Sequence, residues 1–232
     1  MGTLFRDISR LVRVPFNRAD AERRINKFHS IPRSNEELVD TAINLGSKGH
    51  FRINSMQVRS EILSLVKKVS EIKPKTILEI GTCNGGTLFM WSNLASSRVI
   101  TCDLIIHKYR KHLYSKFPST DSECVVETLE GDSHTSEFKQ RVEDTLNGDL
   151  VDFLFIDGDH SEQGVEADYN DYKHLVRPGG LIAFHDIVKN QPVEGNKVFY
   201  FWERLKKVAQ VEEFVNDPNQ CGYGIGLVKV GS

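Results

Sequence analysis

From Ile77 onward the chain alternates short runs of β-branched and aromatic residues with longer amphipathic stretches, and that alternation leaves few architectures open. Five runs have the composition of buried strands: "TILEI" (76–80), "RVITCDL" (98–104), "CVVETLEG" (124–131), "VDFLFID" (151–157) and "LIAFHDI" (181–187). Parallel neighbours need a long crossover. The segments "GGTLFMWSNLA", "HKYRKHLYSKF", "TSEFKQRVEDTL" and "QGVEADYNDYKHLV" between the runs have the helical spacing and length for one. The expectation is an α/β fold, a doubly wound and mostly parallel sheet. "RPGG" (177–180) reads as a helix stop before the last parallel strand. Downstream, "KVFYFWERLKKVA" reads as a helix. "VEEFV" and "YGIGLVKV", separated by "NDPNQCG", read as a C-terminal antiparallel hairpin that brings the sheet to seven strands.

The segment before the first run is helical in pattern. We divide the chain into an N-terminal helical extension, residues 1–50, and a main domain, residues 51–232. Leu4, Phe5, Ile8, Leu11 and Val12 fall on one helix face, within a stretch (1–33) of eight basic and three acidic residues. Such a helix suits a cap or a homo-oligomer contact, with a membrane surface or a targeting signal as the alternative. A net charge of −2 argues against nucleic acid as a partner. No apolar stretch has the length of a membrane span, and the four scattered cysteines show neither zinc-finger nor C-x-x-C spacing, so a cytoplasmic protein with reduced thiols is expected.

"LEIGTCNGGT" (78–87) follows the first strand. Glycines 81, 85 and 86 allow close approach of a ligand, and the helix beginning there aims free N–H groups at it. The spacing is neither the dinucleotide G-x-G-x-x-G nor a phosphate loop ending in lysine. Asp103 closes the second strand, 22 residues beyond Gly81, where a carboxylate can accept from both hydroxyls of a ribose. A glycine turn followed by a surface aspartate is the plainer alternative.

Taken in order, "LEIGTCNGGT", the acid of "TCDL", "LEGDS", "LFIDGDH", "VRPGG" and "IAFHDI" resemble the class I S-adenosylmethionine-dependent methyltransferases. The likeness is to the metal-dependent O-methyltransferase branch that includes catechol, caffeoyl-coenzyme A and antibiotic-sugar enzymes, and it covers residues ~50–230. The resemblance implies that Glu79, Gly81 and the backbone of Thr82, Cys83, Asn84 and Gly85 line the methionine part of S-adenosylmethionine, with Thr87 reaching its carboxylate. Asp103 would hold the ribose, Asp132 and Ser133 would flank the adenine, and Asp157 would border the cofactor. It implies a divalent metal, magnesium or manganese, on Asp157, His185 and Asp186, and a general base at His160. Two departures are visible: Cys83 stands where many such enzymes have glycine, and His185 where the branch usually has a carboxylate.

The chemistry of these residue types agrees. Two carboxylates and an imidazole at the mouths of neighbouring buried strands need a cation, and imidazole suits manganese, iron or zinc better than magnesium. An alcohol must lose its proton to become a nucleophile, and an imidazole near neutrality is matched to take it. Helix capping or pairing with arginines is the competing reading of Asp157 and Asp186, and helix capping that of His160. The acceptor is expected to be a small molecule bearing a hydroxyl, on a sugar, a polyhydroxylated product or an aromatic ring, held by segments 49–57, 105–114 and 187–202. Phe51 and Tyr109 are candidates to stack on it, whereas Tyr200 and Trp202 read as packing residues. The rival functions are a metal-independent N- or O-methyltransferase, a non-catalytic nucleoside-binding module and, against the glycine spacing, a nicotinamide dehydrogenase.

Overall fold

The computed structural model describes residues 2–231, with side chains from Val14 onward. The apolar face read at Leu4, Phe5, Ile8, Leu11 and Val12 therefore lies outside the described residues. Seven strands, β1 (Thr76–Ile80), β2 (Arg98–Asp103), β3 (Val125–Glu130), β4 (Val151–Ile156), β5 (Val176–His185), β6 (Val211–Phe214) and β7 (Ile225–Lys229), form one sheet in the order β3-β2-β1-β4-β5-β7-β6. β7 runs antiparallel to β5 and β6, and the other pairings are parallel. Every residue of β1 and β4 is buried, as expected of central parallel strands covered on both faces.

Alternation along β4 splits the core in two. Phe153 and Phe155 face one helix layer and Leu154 and Ile156 the other. The first layer comprises α1 (Gly2–His29), α2 (Asn35–Ile43), α3 (Arg59–Glu71), α4 (Gly86–Ser92) and α5 (Lys108–Tyr114); the second comprises α6 (Ser136–Leu146), α7 (Glu162–Tyr172) and α8 (Val198–Leu205). Ala21, Ile25 and Phe28 of α1 and Leu38, Val39 and Ala42 of α2 belong to the same apolar cluster as the face of the sheet carrying Phe153 and Phe155. α2 starts with a reciprocal cap, in which Ser34 accepts from the Glu37 N–H and Glu37 from the Ser34 N–H.

The segment "RPGG" departs from expectation. It lies inside β5, and the helix ends earlier, at Tyr172, followed by a 3-10 turn over Lys173–Leu175. Three bonds hold these residues in the sheet: Arg177 Nε donates to Asp152 Oδ1 at 2.5 Å, Gly179 N–H to Val230 O, and Val230 N–H to Gly180 O. A register shift opposite Val151 and Phe153 accommodates them. Trp202 is fully buried as read, whereas Tyr200 is half exposed.

The strand order reverses at β1, whose neighbours β2 and β4 are entered by connections on opposite faces. In open α/β sheets the crevice at the carboxyl ends of such strands is where ligands bind. β1, β2, β4 and β5 all deliver their last residues to that rim.

Candidate functional site

The loop after β1 is shaped by what surrounds it. Gly81 has φ 98°, and a Cβ there would lie 2.0 Å from the carbonyl oxygen of Asp157; one on Gly86 would lie 2.1 Å from Ser55 N. Neither position admits a side chain, so β1 packs against the β4 exit, and α4 against the chain before α3. Cys83 takes φ 45°, the left-handed region, without being glycine. Arg110 of α5 holds that turn, its guanidinium donating to Cys83 O at 2.9 Å and to Asn84 Oδ1 at 2.5 Å.

Asp103 stands at the end of β2 as read. Its Oδ2 accepts from Cys83 N–H at 2.8 Å and its Oδ1 from Ile105 N–H at 3.2 Å, so the carboxylate both shapes the loop and borders the crevice. A cavity of about 550 Å³ runs from Asp103 past Gly81 and Asp157 to Asp132 and Ser133. That volume lies within the roughly 300–1,000 Å³ of small-molecule sites. A second cavity, about 240 Å³, shares Gly81, Cys83, Asp157 and His160 with the first and continues over Thr82, Asn84, Thr87, His185 and Asp186. Gly85 caps α4 behind this wall, against Tyr114.

Glu79 is not on either wall. It lies fully buried beneath the glycine loop, where Thr101 donates to Oε2 at 2.6 Å and Oε1 has no partner. Burial pushes its carboxyl up to about 7 against the bond from Thr101.

Where the two cavities meet, Asp157, His160, His185 and Asp186 bring one ligand atom each to within 4.8 Å of one another. His185 Nδ1 lies 3.2 Å from Asp157 Oδ1 and 3.3 Å from Asp186 Oδ1. His160 Nε2 lies 3.3 Å from Asp157 Oδ1 and 3.2 Å from Asp186 Oδ2. Asp186 adopts φ 64°, a conformation aspartate tolerates better than most residues and one that turns its side chain back to the rim. Burial alone would raise the Asp157 carboxyl, but the charges and bonds of His185 and His160 outweigh it and hold the group at about 2. The same bonds to Asp157 and Asp186 lift His160 to about 10, and Asp157 and Asp186 raise His185 against its burial.

This donor set fits a divalent cation. Two carboxylates and two imidazoles converge at the exits of adjacent strands, and His185 turns Nδ1 toward both carboxylates. By sequence His160 stands apart from the expected ligands, as a base; the fold brings it into the same cluster.

Several site residues were not read from the sequence. Gln57 Nε2 donates to Asp157 Oδ2 at 3.0 Å and Asn196 Nδ2 to Asp186 Oδ2 at 2.6 Å, each reaching in from an acceptor-side segment. His134 joins Asp132 and Ser133 on the wall of the larger cavity. Carboxamides in loops carry no periodic signal, so only their position in the second cavity distinguishes them.

A reversed strand order at β1, a glycine loop and an acidic second strand end, with an antiparallel β7 between β5 and β6, define the class I S-adenosylmethionine-dependent methyltransferase fold. The chain belongs to the Rhamnosyl O-methyltransferase/CmcI family, whose model matches residues 47–223. Among solved structures it resembles an O-methyltransferase from Bacillus cereus in complex with SAH, at 21% identity and a TM-score of 0.56, covering 86% of this chain and 93% of that one. It also resembles the MycE methyltransferase of the mycinamycin pathway in complex with Mg, SAH and mycinamycin VI, at 16% identity and a TM-score of 0.59, covering 87% of this chain and 56% of that one. At such identities these likenesses speak for the fold alone. An uncharacterized protein of Acanthamoeba polyphaga mimivirus is 34% identical over 130 residues, 54% of this chain and 57% of its own length. A second, from Sinorhizobium fredii, is 21% identical over 183 residues, 68% of this chain and 17% of its own length. The chain thus matches little more than half of one curated relative and a sixth of the other.

Proposed function

We propose that the chain is an S-adenosylmethionine-dependent O-methyltransferase acting on a hydroxyl of a small sugar-like, polyhydroxylated or aromatic molecule, with a divalent cation at the Asp157/His185/Asp186 cluster. The observation that carries this reading is the junction of the two cavities at Asp157 and His160, which sets a nucleoside-sized crevice directly beside a cluster of two carboxylates and two imidazoles. Bound there, the cofactor supplies a sulfonium methyl group and the cation lowers the pKa of the hydroxyl beside it.

The residues of the chain do the rest. Asp103 accepts from the ribose, while Asp132 and Ser133 border the base. The free N–H groups at the start of α4, with Thr87, receive the methionine carboxylate. Asp157, His185 and Asp186 bind the cation, and their mixed oxygen and nitrogen donors favour manganese over magnesium. His160 cannot act as a base while both carboxylates hold it protonated. A cation held by Asp157 and Asp186 would take up those two counter-charges, and His160 would then return toward the range in which an imidazole accepts a hydroxyl proton. Gln57 and Asn196 keep the two carboxylates oriented through the cycle.

Calorimetry tests the parts separately. S-adenosylhomocysteine is expected to bind the wild type and to bind Asp103→Ala at least ~10-fold more weakly. Manganese is expected to bind the wild type and not the Asp157→Asn/Asp186→Asn variant. Methyl transfer from S-adenosylmethionine to a panel of sugars, polyols and catechols is expected to stop on chelation and to return with manganese. Transfer that persists in excess chelator would remove the cation from the mechanism; absence of nucleoside binding would remove the whole reading.

A further inference from the structure

Asp168 of α7 belongs to neither cavity wall, yet it is one of the most deeply buried charged groups in the protein, with no exposed surface. Its Oδ1 accepts from the Ser133 hydroxyl at 2.7 Å and lies 3.2 Å from His134 Nε2. Oδ2 is buried without a partner, and burial pushes the carboxyl up to about 6 despite the bond from Ser133. A half-satisfied buried carboxylate costs stability, so it is a poor structural choice.

The main chain of the loop does not depend on it. Tyr172, one turn further along α7, donates from its hydroxyl to Ser133 O at 2.6 Å, and Asp132 Oδ1 accepts from His134 N–H at 3.0 Å. Those bonds fix where Ser133 sits. Asp168 adds a different constraint, on which way the Ser133 hydroxyl proton points.

A serine hydroxyl has one proton and two lone pairs, and its rotor normally turns to suit its partner. Opposite a carboxylate oxygen the proton is committed. Ser133 borders the cavity where the purine would lie, so what its hydroxyl offers a ligand there is lone pairs only. His134 is constrained likewise: both neighbours of its Nε2, Asp168 Oδ1 and Gly164 O at 3.2 Å, are acceptors, so Nε2 carries the hydrogen and spends it inward.

We propose that Asp168 is a positioning residue which, by fixing the Ser133 hydroxyl as an acceptor, makes the crevice select a 6-amino purine over a 6-oxo purine. The inference rests on the cofactor reading above. An exocyclic amine donates to Ser133, whereas a 6-oxo group would set two acceptors against each other, and sites built around one such bond discriminate strongly against the analogue that cannot make it.

The test compares affinities of the full chain for S-adenosylhomocysteine and for its deaminated counterpart, S-inosylhomocysteine, by calorimetry. The wild type is expected to prefer the adenine ligand by more than ~10-fold. In Asp168→Ala the ratio is expected to narrow to within ~3-fold, because the freed hydroxyl can donate to the 6-oxo group, and in Ser133→Ala to narrow as much. The double variant is expected to be no narrower than Ser133→Ala alone, the signature of two residues acting through one bond. Asp168→Asn, whose amide oxygen can replace Oδ1, is expected to restore the preference. If Asp168→Ala is too unstable to measure, Asp168→Val, close in volume, takes its place. A purely structural Asp168 would weaken both ligands together and leave the ratio unchanged, which overturns the proposal. A wild type that binds neither ligand overturns the cofactor reading, a failure distinct from that one.

Discussion

Glu79, His160 and Asp157 show how little of a residue's chemistry is set by its type. Glu79 looked from the sequence like a wall of the cofactor site, because it precedes the glycine loop by one position. Its side chain points instead into the interior, where burial raises its carboxyl to about 7. Since the folded value lies above the ordinary 4.5, the native state holds the proton more tightly than the unfolded chain between those pH values. Stability is therefore lost as pH rises through that window, by about 3 kcal/mol once the group is ionised. Thermal melts from pH 5 to pH 8 are expected to show Glu79→Gln more stable than the wild type at pH 8 and near parity at pH 5. His160 runs the same way with pH for the opposite reason, since its partners favour the charged form where burial disfavours that of Glu79. Its folded value near 10 lies above the ordinary 6.5, so its pairing contributes fully below pH 6.5 and is lost as pH rises toward 10. In proton NMR of the metal-free protein the His160 ring is expected to titrate near 10. Addition of magnesium or zinc is expected to lower that midpoint, and an unchanged midpoint would separate His160 from the cation. That His160 would touch both carboxylates was not readable, since Asp186 lies 26 positions away and only strand pairing brings them together.

The central parallel strands and crossover helices were readable because strands covered on both faces are dominated by apolar residues, with few polar positions such as Glu79 and Asp152 to disguise them. β1 was placed to the residue, while β2 and β4 ended one residue short of their apolar runs. "RPGG" misled because proline and glycine usually end an element; here an edge-side pairing with Val230 and the Arg177–Asp152 contact keep them in β5. The loop between β6 and β7 was equally opaque, and its order comes from α3. Glu61, buried on that helix, accepts from Asn216 N–H, Gln220 Nε2 and Gly224 N–H at 2.8–2.9 Å. Tyr223 and Gly224 in turn accept from the N–H groups of Val188 and Ile187, directly after Asp186. Glu61→Ala would leave two buried or half-buried N–H groups unpaired, a cost of about 2–4 kcal/mol. Hydrogen exchange is expected to accelerate in residues 216–224 and 186–191 and to stay unchanged in β1 and β2; uniform acceleration would mean that α3 stabilises the fold without shaping the rim.

Across the molecule, the sheet acts as a frame that brings four strand ends to one edge. β1 and β2 deliver the glycine loop and Asp103, β4 and β5 deliver Asp157 and the His185–Asp186 pair, and the two halves adjoin because β1 pairs with β4. The N-terminal helices close the opposite face of the core, α1 and α2 packing into the apolar cluster that also holds Phe153 and Phe155. No helix among the described residues is long and apolar enough to cross a membrane. The sequence signalled the architecture through its strand runs and the chemistry through residues clustered at their C-terminal ends. The acceptor-side carboxamides Gln57 and Asn196 became visible only once distant segments met. The most direct test is anomalous diffraction from crystals grown with S-adenosylhomocysteine and manganese. The expected map shows one manganese peak bounded by Asp157, His185 and Asp186, with the nucleoside between Asp103 and Ser133. A peak elsewhere, or a nucleoside outside the crevice after Ile80, would contradict the account.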